Sequence, residues 1–469
     1  MTTHPMSSPH PGTPDPTAPP TGEVLDVVGI GIGPSNLSLA ALLAGAERTA
    51  GPGAPGGDGV RAVFLDRAER FTWHAGLMLP DVQMQVHYLK DLVTPVDPTS
   101  PYSFPAFLVE NKRFYRLLVT GRSKVPRREF EQYCQWAAER VPNLRFGVDV
   151  RAVDWDGELF TVETGEGTYR ARNVVTGTGL DPKLPACATG FEPHRVFHAS
   201  QVLAQPRDFT GLRVAVVGGG QSGAEVVHHL LSTPDRPAAV LWGTSRDNLL
   251  PLDDTPFVDE LFVPNYSTYF HGLPAARRAA LVERQRMASD GVSASLLEAI
   301  YQRLYDLEEL DGLDRPCRVL LGHRLTSVTD AAGALRTGWL AGDGSGLTED
   351  VDVVICATGY RHDLPAPLHR LRELLVPGGE LAVRADFSLE WRGPEQNRVY
   401  VQNAARHRFG VADPNLSLLA WRSATIANSL LGFERYDTGA VRAALDWVGH
   451  PAADADPDHD VPMAVLGHR

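Results

Sequence analysis

The sequence predicts an α/β protein with two Rossmann-like dinucleotide-binding domains and a smaller, mostly helical substrate-binding region. Three observations predict it. "VVGIGIGPSNLSLAALL" (residues 27–43) places a glycine-rich turn between a short apolar strand and an apolar helix, and "VAVVGGGQSGAEVVHHLL" (residues 214–231) repeats the arrangement far down the chain. Strand and helix patterns alternate around both turns, as in parallel sheets covered by helices. The length of 469 residues, 43% hydrophobic and 22% charged, suits two or three domains with substantial cores.

Taken in order, residues 1–22 open with "MTTHPMSSPHPGTPDPTAPP", which has no Lys or Arg and no apolar run. They read as a disordered leader rather than a signal peptide. The first domain begins at residue 23. Residues 26–30 form its strand, Gly29, Gly31, Gly33 and Pro34 the turn, and residues 36–43 the helix, so a pyrophosphate can approach backbone N–H groups at the helix start. "VRAVFLDRAERF" is a second strand ending near Asp66; "RREFEQYCQWAAERV" has helical periodicity, and "LFTVETG" and "TYRARNVVTGTG" read as a hairpin feeding a buried strand. This first part is expected to span 23–210.

The pattern restarts in 211–350. After a strand at 214–217, Gly218, Gly220 and Gly223 have GxGxxG spacing, with Gln221 and Ser222 entering the helix, and "AAVLWGTSRDN" supplies the next strand and a ligand-facing loop. Helical stretches near 274–287 and 293–308 then interrupt the alternation. "VDVVICATGY" opens 351–450, read as a return to the first nucleotide-binding sheet that ends with "NLSLLAWRSATIANSLLG" as a helix packed on the body. Single cuts are too simple for a chain that goes and returns. Residues 451–469, acidic and proline-containing, read as a flexible tail.

The formal net charge of -13 disfavours nonspecific contact with nucleic acid or an anionic membrane. No stretch approaches the roughly 18 apolar residues of a membrane span. The four cysteines, Cys134, Cys187, Cys317 and Cys356, are too scattered for a CxxC dithiol or a zinc site, so no metal is expected and a reducing, cytoplasmic setting is.

Asp66 ends the second strand where a carboxylate can accept from a ribose diol, and it would repel a 2′-phosphate. The first site therefore suits FAD. The matching region of the second unit has Ser245 and Arg246 and no strand-end acid; Arg246 can pair with a 2′-phosphate, which favours NADPH, although a solvated arginine reads nearly as well. Two such cofactors imply hydride transfer from nicotinamide to flavin. With no cysteine pair or cluster to receive the electrons, dioxygen is a suitable acceptor.

"FTWHAGLMLPDVQMQVHYLKDLVTPVDPTSPYSF" resembles the hallmark region of microbial flavin-dependent N-hydroxylating monooxygenases, the lysine/ornithine N-monooxygenases of hydroxamate siderophore biosynthesis. The resemblance continues in order through "RREFEQYCQWAAE", "DDTPFVDELF", "SDGVSASLLEAIY", "ICATGYRHDLP" and "NLSLLAWRS". It implies a single-component enzyme in which the first turn holds FAD, the second holds NADPH, and dioxygen adds at flavin C4a before an oxygen passes to a neutral side-chain amine. Trp73, His74, Met84 and Gln85 match positions lining the flavin region, and Ser417 a position near flavin and substrate. Read without the family, Trp73 could fill the core and His74 could be structural.

The resemblance also implies that Lys90 meets the substrate carboxylate; from the residues alone, a Lys90–Asp91 ion pair serving only the fold reads equally well. Asp259 stands where ornithine-specific relatives have asparagine, and "SDGVSASLL" departs from their asparagine-containing pattern, leaving Ser289, Asp290 and Ser293 without assigned roles. Both departures lean toward L-lysine, giving N6-hydroxylysine; ornithine or a diamine is the alternative, and a flavin reductase a more remote one. Relatives of this kind are often homo-oligomeric, but no interface is legible here.

Overall fold

The computed structural model describes residues 23–49, 59–204, 207–375 and 381–447. The expected leader and tail lie outside the described residues. The strand Val24–Ile30 is the centre of the first sheet, and its Val27 and Val28 are fully buried, as a strand covered on both faces requires. It pairs in parallel with Ala62–Asp66 on one side and Thr168–Thr176 on the other, and Leu144–Phe146 extends the sheet beyond the former. Thr168–Thr176 is long enough to serve two structures. Its first half runs antiparallel to Phe160–Thr164, which pairs with Val150–Trp155; its second half pairs in parallel with Val399–Val401.

The second sheet has the order Cys317–Leu320, Ala239–Gly243, Arg213–Val217, Val353–Cys356, Val196–His198, all parallel. An antiparallel meander, His323–Ala331, Ala334–Ala341 and Gly346–Val351, leads into Val353–Cys356. The sheets therefore divide at neither of the boundaries read from the sequence. Val196–His198 lies before residue 210 yet belongs to the second sheet, and "VDVVICATGY" completes that same sheet instead of returning to the first. The return is made by Val399–Val401. A short, wholly apolar strand carries no mark of which parallel neighbour it will join, since the partner is chosen by a distant crossover.

The helical segment is shorter-pieced than its periodicity suggests: Pro256–Asp259, Pro264–His271, Ala275–Arg284, Met287–Asp290 and Ala294–Tyr305. Its parts serve different cores. Leu261, Phe262, Tyr266, Phe270 and Ala288 join the apolar cluster of the first unit, whereas Ile300 packs with Val226, Val227 and Leu230 in the second. The stretch from Leu77 to Val82 makes the reverse crossing, placing Leu77, Leu79 and Val82 in the second core.

A buried ion pair spans the seam. Arg127, at the start of the helix Arg127–Ala138, donates from Nη2 to Glu225 Oε1 at 2.7 Å and from Nη1 to Oε2 at 3.2 Å; Glu225 lies on Gln221–Ser232, the helix after the second glycine turn. The side chains are only 13% and 2% exposed. Arg127 also donates to Leu77 O, and Gln221 Nε2 donates to Glu225 Oε1. No helix among the described residues is long and apolar enough to cross a membrane. Removing the carboxylate by Glu225→Ala strands the guanidinium in the seam, and unfolding free energy is expected to fall by about 3–5 kcal/mol in chemical denaturation of the full-length protein. An unchanged denaturation midpoint would show that the seam does not depend on the pair.

Candidate functional site

The first glycine turn lies at the carboxyl ends of the strands, where doubly wound sheets bind ligands. Gly31 has φ +84°, and a Cβ there would stand 2.7 Å from Gly177 O. The backbone turns there because no side chain intervenes. Gly29 has a different task, since its missing Cβ makes room for the Phe64 ring, and Gly33 meets nothing closer than 3.7 Å. Pro34 begins the helix Pro34–Thr49, where it has no N–H to leave unpaired. Asn36, which the sequence reading passed over, is fully buried: its Nδ2 donates to Ile30 O and Gly31 O, and its Oδ1 accepts from Gln402 Nε2. A polar residue inside an otherwise apolar helix was the available signal. Asp66 stands beside the turn, accepting from Ile32 N at 2.6 Å and Ala68 N at 2.8 Å.

The second turn is built more tightly. At Gly218, φ +125°, a Cβ would meet Ala357 O at 2.2 Å, and at Gly223 it would meet Gly218 O at 2.1 Å. Gly220 is open by comparison, its nearest neighbours being Asp290 O at 3.9 Å and Arg246 Nη2 at 4.0 Å. Arg246 thus reaches over the loop, donating to Gly219 O at 3.1 Å and Asp290 O at 3.0 Å. Desolvation and the neighbouring Arg286 lower its pKa, partly opposed by Asp290. Arg286, in the turn between Ala275–Arg284 and Met287–Asp290, pairs with Glu283 at 3.0 Å and lies 3.9 Å from Asp290 Oδ2. Gln221 Oε1 accepts from Ser293 N and Oγ, and Ser222 is half-buried in the first helical turn.

Between the units, the Trp73 ring packs on Phe130 at 5.3 Å and against His74 at 4.7 Å. His74 is exposed to solvent, yet protein is packed densely around its ring. Desolvation there, followed by the charge of Arg127, holds its pKa down at about 4. Met84 is buried and its N–H donates to Val125 O. Gln85 Nε2 is buried with no hydrogen-bond partner, as is Asn403 Oδ1 beyond the last strand of the first sheet. Ser417 is buried in the turn Leu416–Leu418, where its N–H donates to Asn415 Oδ1.

The Lys90–Asp91 pair does not form. Asp91 is fully buried and accepts from Val93 N, Thr94 N, Thr94 Oγ1 and Phe104 N, which occupies its carboxylate. Lys90, half-buried, instead senses Asp259: burial lowers the lysine pKa and the Asp259 charge opposes it, while burial raises the Asp259 pKa and Lys90 opposes that. No carboxylate among the described residues comes within 4.0 Å of Lys90 in an ion pair. Ser289 and Asp290 are engaged by Arg406, whose Nη2 donates to Ser289 Oγ at 3.0 Å and lies 3.4 Å from Asp290 Oδ1, and Ser293 is engaged by Gln221. These three hold the insertion in place.

Two glycine turns, each at the carboxyl ends of its own parallel sheet, define a flavoprotein oxidoreductase that draws on a nicotinamide cofactor. Residues 23–362 match the family model described as L-lysine 6-monooxygenase/L-ornithine 5-monooxygenase, and the chain belongs to that family. It is 39% identical over 433 residues to the L-lysine N6-monooxygenase of Escherichia coli, covering 90% of this chain and 98% of that protein. Among solved structures, the FAD-bound cadaverine monooxygenase of the desferrioxamine pathway of Erwinia amylovora is similar with a TM-score of 0.82 and 30% identity, over 90% of this chain and 98% of that one. The ornithine N-hydroxylase of Kutzneria sp. 744, solved with reduced FAD, NADP+ and L-ornithine, is similar with a TM-score of 0.78 and 30% identity, over 87% and 99%.

The protein is accordingly an FAD- and NADPH-dependent monooxygenase that N-hydroxylates a small amino acid or diamine. The residues fit the cofactors. Glycine at 31 and 218 lets each turn close against Gly177 O and Ala357 O, where a Cβ would collide, and Gln85 Nε2 and Asn403 Oδ1 are buried polar atoms with no protein partner. Arg246→Ala is expected to raise the KM for NADPH at least about ten-fold, the cost of one charge-assisted phosphate contact, with much less change for NADH. Stopped-flow flavin reduction with each nucleotide measures it, and parallel losses would remove the 2′-phosphate role. His74 gives a pH test: its pKa is 6.5 unfolded and about 4 folded, so the unfolded state binds the extra proton and stability falls as pH drops from 6.5 toward 4. His74→Gln should flatten that part of the denaturation profile.

Proposed function

We propose that the substrate is L-lysine and the product N6-hydroxylysine, a precursor for hydroxamate siderophore assembly. The observation that carries this reading is Lys90 set near Asp259, each influencing the other's charge, with no carboxylate within ion-pair distance of Lys90 among the described residues. A carboxylate and an α-ammonium on one carbon are the complement of such a pair: Lys90 donates to the first and Asp259 accepts from the second. A diamine offers no carboxylate. The pair reads the amino-acid end and is indifferent to chain length, so the choice of lysine over ornithine is supported by the 39% identity to the Escherichia coli lysine enzyme. The high structural similarity to a cadaverine monooxygenase supports a diamine as the second reading.

In this reading the bound flavin, reduced by NADPH, supplies the oxygen-activating chemistry. The chain's own residues do the rest. Asp66 accepts from the flavin nucleotide's ribose, the N–H groups around Gly31 face its pyrophosphate, and Arg246 takes the 2′-phosphate of NADPH. His74, with its pKa held near 4, is neutral at physiological pH and adds no charge to its surroundings. The amine that reacts must be neutral, although a free lysine side chain has a pKa of about 10.4. Desolvation of the reacting end of a bound substrate would ease loss of its proton.

Lys90→Ala should weaken lysine binding by about 1.5–3 kcal/mol, or ten-fold to more than a hundred-fold, through loss of one charge-assisted contact. Cadaverine turnover should change much less. Hydroxylamine yield per NADPH is the readout, since oxygen consumption also counts uncoupled turnover, and flavin reduction by NADPH must be intact in the variant. Equal losses for both substrates would overturn carboxylate recognition, and higher efficiency of the unaltered enzyme with ornithine or a diamine would overturn lysine.

A further inference from the structure

The segment that follows Asp259, Glu260 and the helix Pro264–His271, is held from outside by the last described stretch of the chain. Tyr436 anchors that stretch to the first unit: its hydroxyl donates to Leu42 O at 2.6 Å, on the helix after the first glycine turn, and Asn428 binds its backbone through both Nδ2 and Oδ1. Trp421 Nε1 adds a bond to Thr438 O. The chain then crosses to the insertion. Asn265 donates to Val441 O at 2.8 Å and accepts from Val441 N at 2.7 Å, Ala444 N donates to Glu260 Oε1 at 3.2 Å, and the Trp447 ring meets Tyr266 at 4.7 Å and stacks on Tyr269 at 5.9 Å. Glu260 is the residue next to Asp259. Apart from Tyr436, none of residues 433–447 is fully buried, so apolar packing gives little reason for these paired contacts.

We propose that residues 436–447 form a positioning strap that sets the segment carrying Asp259 relative to Lys90, so that selectivity for a carboxylate-bearing amine depends on Asn265 and Trp447, which act through that segment. Lys90 belongs to the first unit and Asp259 to the insertion. The strap ties the two by bridging Leu42 and Tyr266. Tyr266 transmits the constraint inward, being fully buried with its hydroxyl bonded to Gln285 Oε1. The inference rests on the proposed reading of Lys90 and Asp259 as the pair that recognises the amino-acid end.

The test uses the full-length, FAD-loaded protein with Asn265→Ala, Trp447→Ala and Trp447→Phe, beside Lys90→Ala and Asp259→Ala. Loosening the strap should raise the KM for lysine about three- to ten-fold, within what a small misplacement of a distant contact can cost, with kcat little changed. The KM for cadaverine and flavin reduction by NADPH should stay as they were, and Trp447→Phe, which keeps the stacking, should restore the lysine KM. Amide hydrogen exchange should quicken over 256–271 and not over 27–43. Equal effects on lysine and cadaverine, or an unchanged lysine KM despite faster exchange, would sink the strap while leaving the substrate reading intact. If Lys90→Ala and Asp259→Ala themselves leave the lysine-to-cadaverine preference unchanged, the substrate reading fails and the strap's role fails with it.

Discussion

The two sheets become one catalyst through the Arg127–Glu225 pair and the residues gathered around it. A buried, doubly hydrogen-bonded ion pair contributes little net attraction once desolvation is subtracted, but breaking it is costly, which makes it a strong constraint on geometry. Here it fixes the helix after the second glycine turn to a helix of the first unit. The constraint spreads outward. Gln221 holds Glu225 with one end and Ser293 with the other, so the insertion is tied to the same junction, and Arg127 adds to the desolvation that lowers the His74 pKa. Hydride transfer between two separately bound cofactors needs such a fixed relation between their cradles.

The insertion shows how a substrate site can be shared. Its residues are encoded between strands of the second sheet, yet Leu261, Phe262, Tyr266 and Phe270 bury into the first core. With that burial, Asp259 and Lys90 come to influence each other's charge. Ion pairs across the same region, from Arg406 to Asp290 and from Arg127 to Glu225, keep charged groups of the two units matched. Lys90 is left out of that matching: among the described residues no carboxylate lies within ion-pair distance of it, as the proposed contact with a substrate carboxylate requires.

Much of this was legible in the chain. The glycine spacing, the strand-to-helix context and the hairpin before Thr168–Thr176 follow from local sterics and from periodicities of 2 and 3.6 residues, which neighbouring residues express by themselves. Even there, local reading gave the glycines one role where they have several. Gly31 turns the chain, Gly29 accommodates Phe64, and Gly33 has no steric necessity, a distinction that depends on Phe64 and Gly177 arriving from elsewhere in the sequence.

By itself the sequence determined the class: two dinucleotide turns, the acid at the end of one second strand and the arginine after the other, and the ordered motifs of the N-hydroxylating family. Tertiary structure decided what those residues face. Asp91 is the nearest acid to Lys90 in the chain and turns inward to cap backbone N–H groups, whereas Asp259, far away in sequence, becomes its electrostatic counterpart. "VDVVICATGY" joined the second sheet, and the first was completed by Val399–Val401. Sheet membership and charge pairing are set by burial and crossover between distant segments, and the free energies involved depend on how much water each contact excludes. Local spacing carries no record of that exclusion until the chain has packed.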